Sequence, residues 1–253
     1  MFYLRVFFLI AVTSPLFLII SCNNNTGTLN TEPTESDHFT FSLYDGLPNS
    51  ITTPIINEMN NNYDRILDDL NVPSVQKTEI EIWNDEAHFQ NDMKRDLGVN
   101  YPGASGYIYG LTCIRLLHRG NIAHNAVHEF AHIVSLNVNN NFANNPRWYW
   151  EAVATYESGE FNNPKNLSYL VAGNFPTIAE LNSNFNSGNY KIYEVGYLLS
   201  EYIIDTWGKV SYVNMIRQNA NIEIVLGITT QQFEAGWKNF VMTKYFSGGL
   251  IDS

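Results

Sequence analysis

The first half of the chain alternates between strand-like and helix-like patterns of apolar residues. Residues 38–43 alternate apolar and polar positions, and so do residues 78–83, with the isoleucines expected to face inward and the glutamates outward. Between these segments, apolar residues recur at helical spacing as far as Leu70, and Asn49 or Ser50 is placed to cap that helix. This half therefore predicts strands connected by helices.

A polar helix from about Asp85, a glycine-rich stretch at 101–110 and a strand at 111–117 are predicted next. After this strand the pattern becomes helical. Asn121 is expected to cap a helix reaching about Asn137. Asn145 and Pro146 are expected to cap and begin the next one. Further helices are predicted at 191–207, 210–218 and 229–246. Together these elements predict an α+β fold, in which a small mixed sheet lobe with helices packs against a mostly helical C-terminal lobe across a cleft.

The first residues have a different pattern, because residues 6–20 are almost wholly apolar and Arg5 is their only charged neighbour before Cys22. This run is shorter than the roughly 20 residues needed to cross a bilayer, so it fits a signal peptide better. Its end, Ile19-Ile20-Ser21-Cys22, resembles a bacterial lipobox. The expected organisation is a signal peptide at 1–21, a flexible tether at 22–37 and a folded domain at 38–253.

The lipobox resemblance implies a lipid on Cys22 and hence a membrane-anchored protein of the bacterial cell envelope. An ordinary signal peptide, or a short anchor with a chance cysteine, is the alternative. The net charge is −11 and lysines and arginines form no cluster, which argues against a nucleic-acid partner. Because Cys22 and Cys113 are the only cysteines, lipidation of the first would leave no disulfide framework.

The motif with the most specific chemistry is His128-Glu129-Phe130-Ala131-His132. Residues four apart stand on the same face of a helix, so both imidazoles can reach one metal ion while Glu129 serves as general base. A catalytic zinc needs a third protein ligand, and Glu151 is the candidate, 19 positions beyond His132. The alternative is a pair of surface or core histidines. His124, four residues before His128, is expected on the helix surface or behind the ligands.

The residues around Glu151, Trp148-Tyr149-Trp150-Glu151-Ala152-x-Ala154-x-Tyr156, resemble the segment that supplies the third ligand in gluzincin metallopeptidases. That family usually has glycine where this chain has Ala152. The resemblance extends weakly over residues 40–246, toward small stand-alone peptidase domains of the aminopeptidase N and thermolysin type. It implies one Zn²⁺ per chain, held by His128, His132 and Glu151 in a zincin-like cleft.

Two further roles come from the same resemblance. Tyr193-Glu194-Val195-Gly196 resembles a segment whose tyrosine donates a hydrogen bond to the oxyanion, although Tyr193 would also suit the first turn of an amphipathic helix. The strand before the zinc helix pairs with substrate backbone in such enzymes. The residues expected to do so here are Tyr107, Ile108, Tyr109 and Gly110. The aminopeptidase signature Gly-x-Met-Glu-Asn is absent, so that activity is not implied.

The function predicted from these patterns is a lipid-anchored, zinc-dependent peptidase that acts on peptide or protein substrates. Two other classes stay open at this point. One is a zinc-binding domain that has lost catalysis and serves as a binding module. The other is a structural envelope lipoprotein whose histidine motif is coincidental and binds no zinc.

Overall fold

A computed structural model describes Leu29, residues 34–183 and residues 189–247 of the chain. The predicted signal peptide, the lipobox and Cys22 lie outside these residues, as does most of the predicted tether. Within the described ranges, none of the helices combines the length and the apolar character needed to cross a membrane.

One mixed β-sheet forms the first half of the fold, as the alternating patterns predict. Its strands are β1 (Thr34–Glu35), β2 (Phe39–Leu43), β3 (Thr78–Trp83), β4 (Gly106–Tyr109) and β5 (Cys113–Leu117), in the order β1-β2-β3-β5-β4. Strands β2, β3 and β5 are parallel, whereas β1 and β4 run antiparallel at the two edges. Because β1 pairs with β2, the folded part begins before the predicted boundary at residue 38.

Helices connect the strands of the sheet and form most of the chain after β5, so the α+β class is confirmed. They are α1 (Thr52–Leu70), α2 (Glu86–Leu97), α3 (Ile122–Val138), α4 (Arg147–Glu157), α5 (Ser168–Val171), α6 (Ile178–Leu181), α7 (Lys191–Arg217), α8 (Ile222–Leu226) and α9 (Thr230–Val241). Helix α7 is interrupted at Gly208, whose φ of 81° is non-helical, so the predicted break there is correct. A π-helical turn, Met242–Phe246, extends α9 to the predicted end.

Two predicted helix caps are wrong. Residues Asn49–Ile51 form a 3₁₀ turn, and α1 follows it with no side chain capping its first turn. Asn145 does not cap α4, because its side-chain amide donates to the carbonyl of Asn141 within the preceding loop. Pro146 occupies the cap position instead, and α4 begins one residue later. By contrast, Asn121 caps α3 as predicted by accepting a hydrogen bond from the backbone N–H of His124.

The two faces of the sheet are covered by different helices. On one face, the apolar side chains of β2, β3 and β5 pack with α1 and α3 into a core that continues into α4, α7 and α9. On the other face, a smaller cluster joins Trp83, Phe89, Met93 and Tyr107 beneath α2. The zinc-motif helix α3 therefore lies between the sheet and the helical half.

The covering by α2 corrects one prediction made for β3. Glu81 was expected to face solvent, but it is fully buried, as is the neighbouring Arg115 on β5. Arg115 Nε lies 2.7 Å from Glu81 Oε2, and the same guanidinium pairs with Asp96 from α2. The Tyr107 hydroxyl donates to Asp96 at 2.9 Å. The charged side of β3 is thus an ion network under a helix, where each charge has an opposite partner.

Candidate metal centre

Helix α3 presents both histidines of the motif to the interior. Every residue from Ala126 to Leu136 is buried, so this helix is enclosed by its neighbours instead of exposing one polar face. His128 and His132 are four residues apart, and their rings lie edge to face with centroids 4.9 Å apart. Both imidazoles therefore point toward the same space.

Glu151 completes the set of donors from α4, as predicted. Its Oε2 lies 3.4 Å from His128 Nε2 and 3.6 Å from His132 Nε2, and donor atoms of all three residues lie within 4.8 Å of one another. Two donors bound tetrahedrally at the usual zinc bond lengths of about 2.0–2.2 Å are themselves about 3.3–3.6 Å apart. Two imidazoles and one carboxylate at this spacing fit a catalytic zinc site.

His128 has a second carboxylate partner that the sequence did not reveal. Its Nδ1 lies 2.8 Å from Glu160 Oε1, which also accepts a hydrogen bond from the Ser158 hydroxyl. A carboxylate on the far nitrogen sets the tautomer so that Nε2 is free to bind metal. His124 approaches the same oxygen at 3.9 Å, which confirms a place behind the ligands and not among them. The only sequence signal for Glu160 is an acid just after the helix that carries Glu151.

His132 is oriented by stacking. Its ring lies parallel to the indole of Trp150, with centroids 3.9 Å apart and planes 6° apart. Its Nδ1 is buried and has no hydrogen-bond partner among the described residues. Trp150 is buried and also lines the cavity beside the histidines, so it forms both core and cleft wall.

Burial and mutual charge set the protonation of these groups. Burial lowers the pKa of His132 to about 4, which keeps its imidazole neutral, as metal ligation requires. Burial also opposes charge on His128, but the carboxylates of Glu160 and Glu151 raise its pKa well above the ordinary value. Although burial acts in the opposite direction, hydrogen bonds from both imidazoles hold the pKa of Glu151 well below its usual range.

Because Glu160 orients His128, replacing Glu160 by glutamine is expected to weaken metal binding. Glu160→Gln keeps an acceptor for His128 Nδ1 and removes the negative charge, so zinc affinity is expected to fall about 10- to 100-fold. Competition with a chromophoric chelator measures the affinity, and Asp205→Asn on the exposed surface of α7 is the control. An unchanged affinity would show that Glu160 does not support the ligand.

Glu129 lies beneath the edge strand of the sheet. A side-chain carbon at Gly106 of β4 would come within 2.6 Å of Glu129 Oε1, so only glycine permits this close approach. Burial raises the pKa of the Glu129 carboxyl to about 8, and Glu151 and Glu160 act in the same direction. A carboxyl group with such a shifted pKa inside a cleft is typical of a general acid–base group.

Tyr193 reaches the same cleft from the start of α7. Its ring centroid lies 6.3 Å from that of His128, and the guanidinium carbon of Arg147 lies 5.5 Å from the tyrosine ring centroid. Burial, reinforced by Glu151, raises the pKa of Tyr193 well above its ordinary value, so the phenol remains a hydrogen-bond donor. The cavity has a volume of about 770 Å³ and is lined by β4, α3, α4 and Tyr193.

Three of the four residues predicted to pair with substrate lie in β4, an edge strand of the sheet, but they do not all face the same way. The Ser105 carbonyl accepts from Leu117 of β5, and antiparallel alternation then turns the backbone groups of Gly106 and Ile108 outward. Tyr107 and Tyr109 lie on the other face, where both rings contact the Arg115 guanidinium. Gly110 falls in the turn after β4, and β5 begins at Cys113, so the predicted strand at 111–117 is shorter.

Comparison of the chain with models of known protein families finds no match, and comparison with curated proteins finds none either. The cleft nevertheless brings together every residue predicted to bind metal or act in catalysis: His128, Glu129, His132, Glu151 and Tyr193. The geometry of this site is therefore the main evidence for a function.

Proposed function

We propose that this chain is a zinc-dependent peptidase of the gluzincin type, which hydrolyses peptide bonds with a metal-activated water. The observation that carries the proposal is the convergence of His128, His132 and Glu151: the carboxylate oxygen lies 3.4 and 3.6 Å from the two imidazole nitrogens, as expected for neighbouring donors on tetrahedral zinc. Glu129, which lines the same cleft, supports catalysis over a purely structural zinc site. One Zn²⁺ per chain is proposed.

The mechanism assigns each residue one task. When bound, zinc polarises the scissile carbonyl and lowers the pKa of the attacking water. Glu129 removes the proton from that water and delivers it to the leaving amine. The Tyr193 hydroxyl donates a hydrogen bond to the negative charge that develops on the carbonyl oxygen. Glu160 holds His128 in its ligating orientation.

Strand β4 is the proposed binding element for the substrate backbone. An extended peptide adds to a sheet edge by hydrogen bonding to outward-facing backbone groups, which Gly106 and Ile108 offer here. Gly106 lies against Glu129, so a peptide paired with β4 would pass directly over the catalytic carboxylate. Tyr107 also lines the cavity, whereas Tyr109 and Gly110 are not among the described residues that line it.

Anchoring is proposed from the sequence alone. A lipid on Cys22 would hold the peptidase at a membrane of the bacterial cell envelope and restrict it to substrates within reach of the tether.

Metal content and cleavage together test the proposed function. The purified protein is expected to carry about one zinc per chain and to cleave members of a broad fluorogenic peptide library. Chelation should abolish cleavage, and added zinc should restore it. A protein without zinc would overturn both the metal site and the activity. Zinc without any cleavage would instead indicate a catalytically inactive binding module.

Replacing Tyr193 by phenylalanine tests the oxyanion role. Tyr193→Phe keeps the ring and removes the hydroxyl, so zinc content should be unchanged while kcat falls about 100-fold. Steady-state kinetics with the best library substrate measures the effect. Tyr197→Phe, one helical turn along α7, is the matched control and should change kcat little. Unchanged turnover in Tyr193→Phe would remove this residue from the mechanism.

A further inference from the structure

A buried arginine shares the cleft with the metal ligands. Arg147 is the first residue of α4, and its position four residues before Glu151 places both side chains on the same face of that helix. It is only 7% exposed, yet it lines the cavity beside Trp150, Asn182 and Tyr193. The cleft thus has a fixed positive charge about one helical turn from the metal ligand.

The hydrogen bonding of this guanidinium is incomplete. Nη1 donates to the carbonyl of Ser183 at 2.8 Å, and the guanidinium also interacts with the Tyr193 hydroxyl, where it acts to lower the pKa of that tyrosine against the rise caused by burial. Nη2 is buried and makes no hydrogen bond of good geometry among the described residues. Arg147 also has no carboxylate within ion-pair distance among those residues. Arg65, Arg115 and Arg119, by contrast, each pair with a glutamate. A buried donor without a partner is costly, and a ligand that supplies an acceptor removes that cost.

The charges that line the cavity determine which hydrogen-bond acceptor suits Arg147. Arg147 is the only lysine or arginine among the described residues that line the cavity, which also contains the carboxylates of Glu129, Glu151 and Glu160. An anionic ligand group would be repelled near those acids and attracted to the guanidinium. The planar fork of arginine matches the two oxygens of a carboxylate, which would bind it with charge-assisted hydrogen bonds.

We propose that Arg147 forms a subsite in the cleft that binds a carboxylate of the substrate peptide. That the ligand is a substrate rests on the peptidase function proposed above, whereas carboxylate binding by Arg147 does not depend on that function. Two sources supply this group in a peptide: the free C-terminus and an aspartate or glutamate side chain. The subsite makes the cleft selective for peptides that place either one a short distance from the scissile bond.

Equilibrium binding tests the subsite without requiring turnover. The full protein with Glu129→Gln is titrated calorimetrically with N-acetyl-trialanine, with its C-terminal amide, and with the amides of Ala-Glu-Ala and Ala-Gln-Ala. The carboxylate form of at least one pair is expected to bind roughly 10- to 100-fold more tightly than its neutral counterpart. The pair that shows the difference identifies the source.

Variants at position 147 assign that preference to the guanidinium. Adding Arg147→Gln should abolish the preference, whereas Arg147→Lys, which keeps the charge and loses the fork, should retain part of it. Tyr193→Phe should leave it unchanged, which separates carboxylate binding from a role of Arg147 in positioning that tyrosine. If Arg147→Gln does not fold, the Arg147→Lys comparison still decides the assignment.

Two results would overturn the subsite: no preference for either carboxylate in the parent protein, or a preference undiminished in the Arg147 variants. These results are distinct from failure of the proposed function. A carboxylate preference in a protein that cleaves no peptide would uphold the subsite and reject the peptidase. Cleavage without any preference would do the reverse.

Discussion

The Glu129→Gln protein is expected to retain its zinc and to lose peptide cleavage by about 10²- to 10⁴-fold in kcat. Glutamine has nearly the shape of glutamate, so it fits the narrow space beneath Gly106 where a larger side chain would not. The proposed metal donors lie on His128, His132 and Glu151, and none of them is changed. What the substitution removes is the group that accepts the proton of the attacking water.

Zinc content by mass spectrometry and kcat on the best library peptide are the two measurements. Glu223→Gln, at an exposed position in the first turn of α8, is the matched control and should leave both unchanged. Full activity in Glu129→Gln would show that another group is the base. Loss of zinc together with activity would show that Glu129 supports the metal site instead of the proton transfer.

The largest expected effect on stability comes from Arg115→Met. Arg115 is 1% exposed and joins Glu81 of β3 to Asp96 of α2. Asp96 also pairs with Arg95, so removal of Arg115 chiefly leaves the fully buried Glu81 without the Arg115 cation. Breaking a buried ion pair from one side costs about 3–5 kcal/mol. That is a large fraction of the roughly 5–15 kcal/mol that stabilises a typical domain.

Urea unfolding of the two proteins measures the change in the free energy of unfolding. Lys77→Met, which removes the exposed partner of Glu35, is the matched control and should cost less than about 1 kcal/mol. Adding Glu81→Gln to Arg115→Met should recover part of the loss, because the buried charge that had lost the Arg115 cation is then absent. A loss below about 1 kcal/mol for Arg115→Met would mean that the network contributes little to stability.

The elements that the sequence predicted well are those with a local signal. Asn121 caps α3 because its side chain bonds to a backbone N–H three residues later, which depends only on neighbours in the chain. Gly208 interrupts α7 because glycine alone adopts its backbone angles without strain. The failed caps show the limit of such signals: Asn49 and Ser50 lie inside a 3₁₀ turn before α1, and the Asn145 side chain bonds within its own loop instead.

The roles of individual charges required the tertiary structure. Alternation along β3 correctly separated its two faces but wrongly assigned Glu81 to solvent, since it cannot show that α2 folds back over that face or that Arg115 of β5 lies beside Glu81. The same holds for Glu160 and Arg147. Each is an ordinary charged residue in the sequence, and only the packing of α4 against α3 and α7 places one on His128 and the other in the cleft.

The sequence by itself determined the side chains of the candidate site: two histidines one helical turn apart, a glutamate between them, and a second glutamate 19 positions beyond His132. Helical periodicity and donor chemistry are local, so they can be recognised without coordinates. Only the tertiary structure decided that Glu151 reaches within 3.6 Å of both imidazoles and that β4 passes over Glu129. Those distances depend on how helices pack against each other and the sheet, and packing is a property of the whole chain.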